Sequence, residues 1–412
     1  MRRNLCTALL GLFLLSLSGC AAIDRPPTTL AQLESDAGAE RQNYETTIDT
    51  IVDRLAQRTV TRGDQTLDIL LLSGGGQHGA YGIGFLRGWE ERKDQPMPHF
   101  DLVTGVSTGA LQAPFALLGT PQALSLASTL YRSAASDFAP TFDWLFWLRR
   151  TGGVVNTTRY QSMIQTVLDA NMQAQLRANF HDGRQLVIST TDDDLGTGRI
   201  WDVEHEMSRK EHGAERVQQL MLASSAIPGI FPPIVLDGHV HSDGGVVSNT
   251  LAVLDFEGYR KLAARLTALG ALKDGKPVTI RLWVIMNVWT HGPIKIMDPA
   301  SSSKIRQRGN SLMFSTQQPQ FLSGLDNLAR AVTADVPGLK VEMHYTAIPA
   351  ELASEPGASD LFNGEWMTRL EKFGYERAQS TTPWDRLTTP YARPAPVLTA
   401  EQQAKFGANQ AR

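Results

Sequence analysis

Asp68-Ile69-Leu70-Leu71-Leu72-Ser73-Gly74-Gly75-Gly76-Gln77-His78-Gly79 is an apolar run with no interior turn residue that stops at three glycines. It reads as a fully buried strand ending in a loop whose backbone N–H groups can be approached closely. About one supersecondary unit later a second apolar run, Phe100 to Val106, enters Gly105-Val106-Ser107-Thr108-Gly109. Glycines flanking the serine leave room for a sharp strand-to-helix turn with the hydroxyl on an exposed apex above the sheet. The pattern predicts an α/β fold: one large domain, a central and largely parallel sheet between helices, and Ser107 at the carboxyl end of its strand. A donor-rich loop beside an exposed serine is what acyl transfer needs, namely a nucleophile and N–H groups aimed at the developing oxyanion.

Gly74, Gly76 and Gly79 also satisfy G-x-G-x-x-G between a strand and a helix, the context of a dinucleotide-binding turn. That fingerprint wants an acidic residue at the tip of the next strand to hold a ribose. Here the next strand ends in Gly105-Val106-Ser107, while Glu90, Glu91 and Asp94 fall in the intervening helix and Asp101 opens the strand. The serine turn occupies the place of the cofactor, so the hydrolase reading is preferred. A kinase-type phosphate loop is excluded because no Gly-Lys-Ser/Thr follows the glycines.

Activation of Ser107 has two solutions on the sequence. A Ser-His-Asp triad would draw on His291, in Trp289-Thr290-His291-Gly292-Pro293, or on His344, in Val341-Glu342-Met343-His344-Tyr345. Neither neighbourhood marks its histidine as catalytic. The segment His239-Val240-His241-Ser242-Asp243-Gly244-Gly245 instead ends a short strand in a carboxylate displayed on a tight Asp-Gly turn, itself a common structural feature.

Taken together, Gly74-Gly75-Gly76-Gln77-His78-Gly79, Gly105-Val106-Ser107-Thr108-Gly109, Ala223-Ser224-Ser225-Ala226-Ile227-Pro228-Gly229-Ile230-Phe231-Pro232-Pro233 and Asp243-Gly244-Gly245 resemble, in order and spacing, the patatin-like phospholipase family. The resemblance covers roughly Leu67 to Leu251. It implies a three-layer patatin-like fold and a Ser-Asp dyad, with Ser107 as nucleophile, Asp243 as base and no histidine in the mechanism. It further implies an oxyanion hole in the Gly74-Gly75-Gly76 turn, no cofactor and no metal, and a phospholipid or other acyl ester as substrate. Where the family usually carries Arg or Lys, this chain has His78, whose charge would depend on pH.

A carboxylate is a weak base for a serine proton, so the dyad requires a partly desolvated site in which the Asp pKa is raised. Ile230-Phe231 and Ile234-Val235-Leu236 are the apolar segments expected to wall it. The expected function is a serine lipid acyl hydrolase of phospholipase A or lysophospholipase type. A carboxylesterase on small soluble esters and a non-catalytic lipid- or partner-binding lipoprotein are the alternatives.

The amino terminus reads as a targeting segment. Arg2 and Arg3 precede an apolar stretch from Thr7 to Leu17, too short to span a bilayer, and Leu17-Ser18-Gly19-Cys20 resembles a bacterial lipobox. The expectation is cleavage after residue 19 and lipidation of Cys20, each buried acyl CH₂ contributing about 0.8 kcal/mol to anchoring. By resemblance to enterobacterial lipoprotein sorting, Ala21 and Ala22 after that cysteine imply the outer membrane, facing the periplasm. The expected organisation is a signal peptide (1–19), a lipidated cysteine with tether (20–43), a packing helix (44–66), the catalytic domain (67–380) and an extended tail (381–412). No internal repeat is apparent.

With 39 basic and 42 acidic residues the formal charge is −3, which argues against nucleic acid as a partner. Two further segments carry alternatives. Residues 136–156 include Phe138, Phe142, Trp144, Trp147, Arg149 and Arg150, and read either as a core helix with a charged end or as an interfacial lid. Thr191-Asp192-Asp193-Asp194 reads as a solvated turn after a strand rather than a cation site.

Overall fold

Along strand β1 (Thr66–Leu72) the side chains of Leu70 and Leu72 enter one apolar core, and those of Leu67, Ile69 and Leu71 enter another. That alternation, with both faces buried, makes β1 a central strand between two helical layers. The computed structural model describes residues 23–144, 151–210, 212–272 and 275–393. Cys20, Trp147, Arg149, Arg150 and the tail beyond 393 lie outside the described residues.

Strand β1 pairs in parallel with β2 (Leu102–Val106) on one edge and with β9 (Val278–Trp289) on the other. The parallel set extends through β10 (Leu339–Ile348) beside β9 and β5 (Gln185–Asp192) beside β2. Helices Gly79–Glu90, Thr108–Leu118, Pro121–Ser133 and Gly364–Gln379 cover one face. Helices Leu30–Arg62, Phe256–Ala268 and Ser302–Asp335 cover the other. The three-layer α/β architecture with a largely parallel sheet is therefore present.

The far side of the sheet turns antiparallel, and this turn builds the site. Strand β6 (Thr197–Asp202) pairs along Val187–Asp192 of β5 and so takes one edge of it. On the remaining edge, β2 occupies Gln185–Ser189 and β8 (His239–Asp243) occupies Thr190–Asp192. The two strands run toward each other and end on adjacent residues, Val106 opposite Ser189 and Asp243 opposite Thr190. Strand β7 (Ile234–Leu236) completes the edge beside β8.

Three sequence expectations are corrected here. The N-terminal helix starts at Leu30, capped by the Thr29 hydroxyl, which accepts from the Gln32 N–H, so the expected tether through residue 43 is helical over most of its length. Its buried residues begin only at Ile48, which is why no apolar period marks its first half. The aromatic segment is not a core helix where it is described: Thr141–Phe142 form β3, paired with β4 (Val155–Asn156), and Trp144 is 81% exposed. Asp192 is buried rather than solvated: one carboxylate oxygen accepts from the N–H groups of Asp194 and Leu195, and the other meets His239 Nδ1 at 2.7 Å.

Candidate active site

Ser107 sits between β2 and helix Thr108–Leu118 with φ 54° and ψ −123°, a conformation costly for a residue with a Cβ. The turn is possible because its flanks are glycines. A Cβ on Gly105 would lie 2.6 Å from the Gly109 carbonyl oxygen, and one on Gly109 would lie 2.3 Å from the Leu72 carbonyl oxygen. The Ser107 N–H donates to Ser224 Oγ at 2.9 Å, and Ser224 Oγ donates to the Ser189 carbonyl at 2.7 Å. Two residues on, the Ala226 carbonyl accepts from the Asp243 N–H at 2.9 Å. The Ala223–Ala226 segment thus ties the serine and the aspartate to one support.

The Asp243 carboxylate faces the Ser107 side chain, and its Oδ1 accepts from the Gly245 N–H at 2.7 Å. Both side chains are largely withdrawn from solvent, Ser107 at 6% and Asp243 at 7% exposure. Burial of the charged form pushes the Asp243 carboxyl up to about 6, against the lowering effect of Ser107 and the Gly245 N–H beside it. The apolar wall differs in part from expectation. Ile227 and Phe231 line the space beside Ser107, whereas Ile234–Leu236 pair with β8 upstream, at His239–His241.

The glycine loop lies against Ser107. A Cβ on Gly74 would stand 3.1 Å from Ser107 Cβ, and one on Gly75 would stand 2.0 Å from the Asn287 carbonyl oxygen. The Gly74 N–H is committed to the Asn249 carbonyl at 2.9 Å, which removes it from the expected set of oxyanion donors. Gly75 and Gly76 line the open cleft with Ser107 and Asp243, and Gly76 adopts φ 57°. These two remain as candidate donors.

Asn287 holds that loop in place. Its backbone N–H donates to Ser73 Oγ at 2.8 Å, its side-chain amide donates to the Ser73 carbonyl at 2.9 Å, and its Oδ1 accepts from the Gly82 N–H at 3.1 Å. The same amide reaches Gln112 Oε1 at 3.2 Å, linking the loop to the elbow helix. Sequence reasoning passed over Asn287 and Asn249, and gave Ser224 no role beyond its place in the Ala223–Pro233 segment. A lone Asn in the otherwise apolar run Leu282–Trp289 was the available signal, because a fully buried amide needs partners.

The histidines stand apart from the pair. His291 is fixed by Thr290 Oγ1 at 3.0 Å and the Thr389 carbonyl at 2.9 Å. His344 stacks on Trp283 with ring centroids 4.5 Å apart, and neither histidine lines the spaces around Ser107. His78 places Nε2 3.0 Å from the Ala358 carbonyl and its ring against Trp289. Burial lowers its pKa, so at neutral pH the loop carries no charge there.

Two spaces meet at Ser107. One is a narrow apolar pocket lined by Leu111, Phe115, Leu130, Met163, Ile164 and Val167 among others. The other is an open cleft reaching Asp243, Pro228, Val246, Trp289 and Phe314.

Residues 70–254 match the family model of patatin-like phospholipases. A cGAMP-activated phospholipase from Pseudomonas aeruginosa is 26% identical over 225 residues, which make up 52% of this chain and 66% of that protein. The chain therefore spans just under two thirds of that relative's length. The crystal structure of VipD from Legionella pneumophila is similar at a TM-score of 0.36 and 14% identity, over 76% of this chain and 66% of that one. Residues 70–254, which carry both Ser107 and Asp243, are therefore the part of the chain that is similar to the patatin-like phospholipases, a family of carboxylic ester hydrolases.

Proposed function

We propose that the protein is a serine lipid acyl hydrolase of phospholipase A or lysophospholipase type, acting through a Ser107–Asp243 dyad. The observation that carries this reading is the position of Ser107. It lies beside the buried Asp243 carboxylate at the junction of a narrow apolar pocket and an open cleft. An ester of a long acyl chain fits that division, with the chain in the apolar pocket and the alcohol part in the cleft.

Ser107 Oγ attacks the ester carbonyl while Asp243 takes its proton. The oxyanion of the tetrahedral intermediate receives the N–H groups of Gly75 and Gly76, aided by the N-terminus of helix Thr108–Leu118. Asp243 returns the proton to the leaving alcohol, and an acyl-enzyme remains on Ser107. A water then attacks the acyl carbonyl as Asp243 accepts its proton. Collapse of the second intermediate releases the fatty acid, and the proton goes back to Ser107 Oγ. A carboxyl poised near 6 is ionised at neutral pH yet far more basic than an ordinary Asp, as this cycle needs.

We further propose that Cys20 carries the lipid anchor and holds the protein on the periplasmic face of the outer membrane. The lipobox-like Leu17-Ser18-Gly19-Cys20 supports this. Incubation with a panel of phospholipids and short-chain esters, with products identified by mass spectrometry, tests the function. Release of free fatty acid by the wild-type chain and by no Ser107→Ala preparation is the expected result. Turnover confined to short soluble esters would leave an esterase in place of a lipase.

A further inference from the structure

Beside the cleft, the chain that leaves β9 holds large apolar side chains out in solvent. Ile294 is 79% exposed, Ile296 88%, Ile305 54% and Met313 67%. From Thr290 to Leu325 the sequence contains Lys295, Lys304, Arg306 and Arg308, and Asp298 as its one carboxylate. Lys295 and Arg306 are exposed, while Lys304 and Arg308 donate to the neutral carbonyls of Asp298 (3.4 Å) and Pro293 (2.6 Å). The loop and the helix Ser302–Asp335 form one unit here, because Gly292 packs on Leu312 and Arg308 reaches back to the loop. The next turns of that helix supply Ser311, Phe314 and Gln317 to the wall of the cleft that contains Ser107 and Asp243.

An isoleucine four-fifths exposed gains nothing from water, and a set of exposed apolar side chains interspersed with cations over residues 294–313 matches one surface in particular. Apolar tips enter the acyl boundary of a bilayer, and Lys and Arg meet its phosphates. We propose that residues 293–314 are the docking surface that seats the catalytic mouth on an anionic phospholipid bilayer. The inference rests on the lipid hydrolase reading for its purpose, while its geometry is independent of the dyad. Trp144, 81% exposed beyond the β3–β4 pair, whose Val155 N–H donates to the Ile230 carbonyl, is a further apolar side chain held out in solvent.

The test uses the full chain carrying Cys20→Ser, so that no lipid on the terminus holds it to the membrane. Hydrogen exchange is followed with phosphatidylcholine vesicles alone and with phosphatidylglycerol added. Slower exchange across residues 293–310 only with the anionic vesicles is expected. Lys295→Glu/Lys304→Glu/Arg306→Glu and, separately, Ile294→Ser/Ile296→Ser should each partition onto those vesicles at least about tenfold more weakly. Turnover of a soluble short-chain ester should be unchanged, which also reports an intact fold. Undiminished partition of either variant, or protection confined to other segments, overturns the proposal. Displacement of the vesicles by heparin with the same protection pattern would mark generic polyanion binding and overturn it as well. Docking without hydrolysis of any ester would instead refute the enzymatic reading and leave the surface standing.

Discussion

Asp243→Asn should remove activity and at the same time stabilise the fold, and the stabilisation should grow with pH. The Asp243 carboxyl rises from 3.8 to about 6 because the folded chain withdraws its charged form from water. At 1.36 kcal/mol per pH unit, carrying that charge costs the native state about 3 kcal/mol once both forms are ionised. The folded pKa lies above the unfolded one, so the native state keeps the proton longer. The contribution is present below about pH 4 and is lost as pH rises through about 6. Asparagine is neutral throughout. Its Oδ1 can accept the Gly245 N–H and its Nδ2 can face Ser107 Oγ, so the carboxylate's polar surroundings keep counterparts. Urea titrations of both proteins at three pH values should show a margin near zero at pH 4, increasing to at most about 3 kcal/mol at pH 8. In parallel kcat/KM should fall by roughly 10²–10⁴, and the wild-type profile should rise through a limb near pH 6. A stability margin flat with pH, or one that reverses above pH 6, would refute the argument that burial tunes this carboxyl.

Ser107→Ala should fold normally and escape labelling by a fluorophosphonate that marks the wild type; labelling of the mutant would remove Ser107 as nucleophile. Ser224→Ala strands the Ser107 N–H and should cost about 1–3 kcal/mol of stability, with kcat falling more than KM changes, as kinetics on a short ester would reveal. Gly75→Ala places its Cβ 2.0 Å from the Asn287 carbonyl oxygen and should disrupt the loop outright. Gly76→Ala meets open space and should lose only about 1–2 kcal/mol for its left-handed φ, a contrast that thermal denaturation checks. Trp144→Ser should leave stability within about 0.5 kcal/mol and slow the hydrolysis of vesicles while sparing a soluble ester; equal loss of both would return this residue to the core. Cys20→Ser should release the protein from the membrane fraction and abolish incorporation of a palmitate analogue.

What the sequence made legible is local. The run Asp68–Leu72 and the turn Gly105–Gly109 announce a buried strand and an elbow because hydrophobic period and glycine placement act over a few residues. The meeting of Ser107 and Asp243 is not local, since it depends on β2 and β8 sharing one edge of β5 and ending on neighbouring residues. No periodicity in either strand encodes that register, and family resemblance alone brought the two residues together. The aromatic segment shows the opposite failure. Phe142 and Trp144 look like core by composition, yet Phe142 lies on a strand pair only two residues long, Trp144 lies just beyond it, and both are exposed. Polar residues inside apolar runs were the under-used signal. Asn287 in β9 and Ser224 at the end of helix Gly213–Ser224 are buried donors and acceptors whose partners had to lie on other elements. Those partners are the glycine loop and the elbow. A buried amide or hydroxyl that propensity does not explain therefore points to the backbone that must be held still for the reaction.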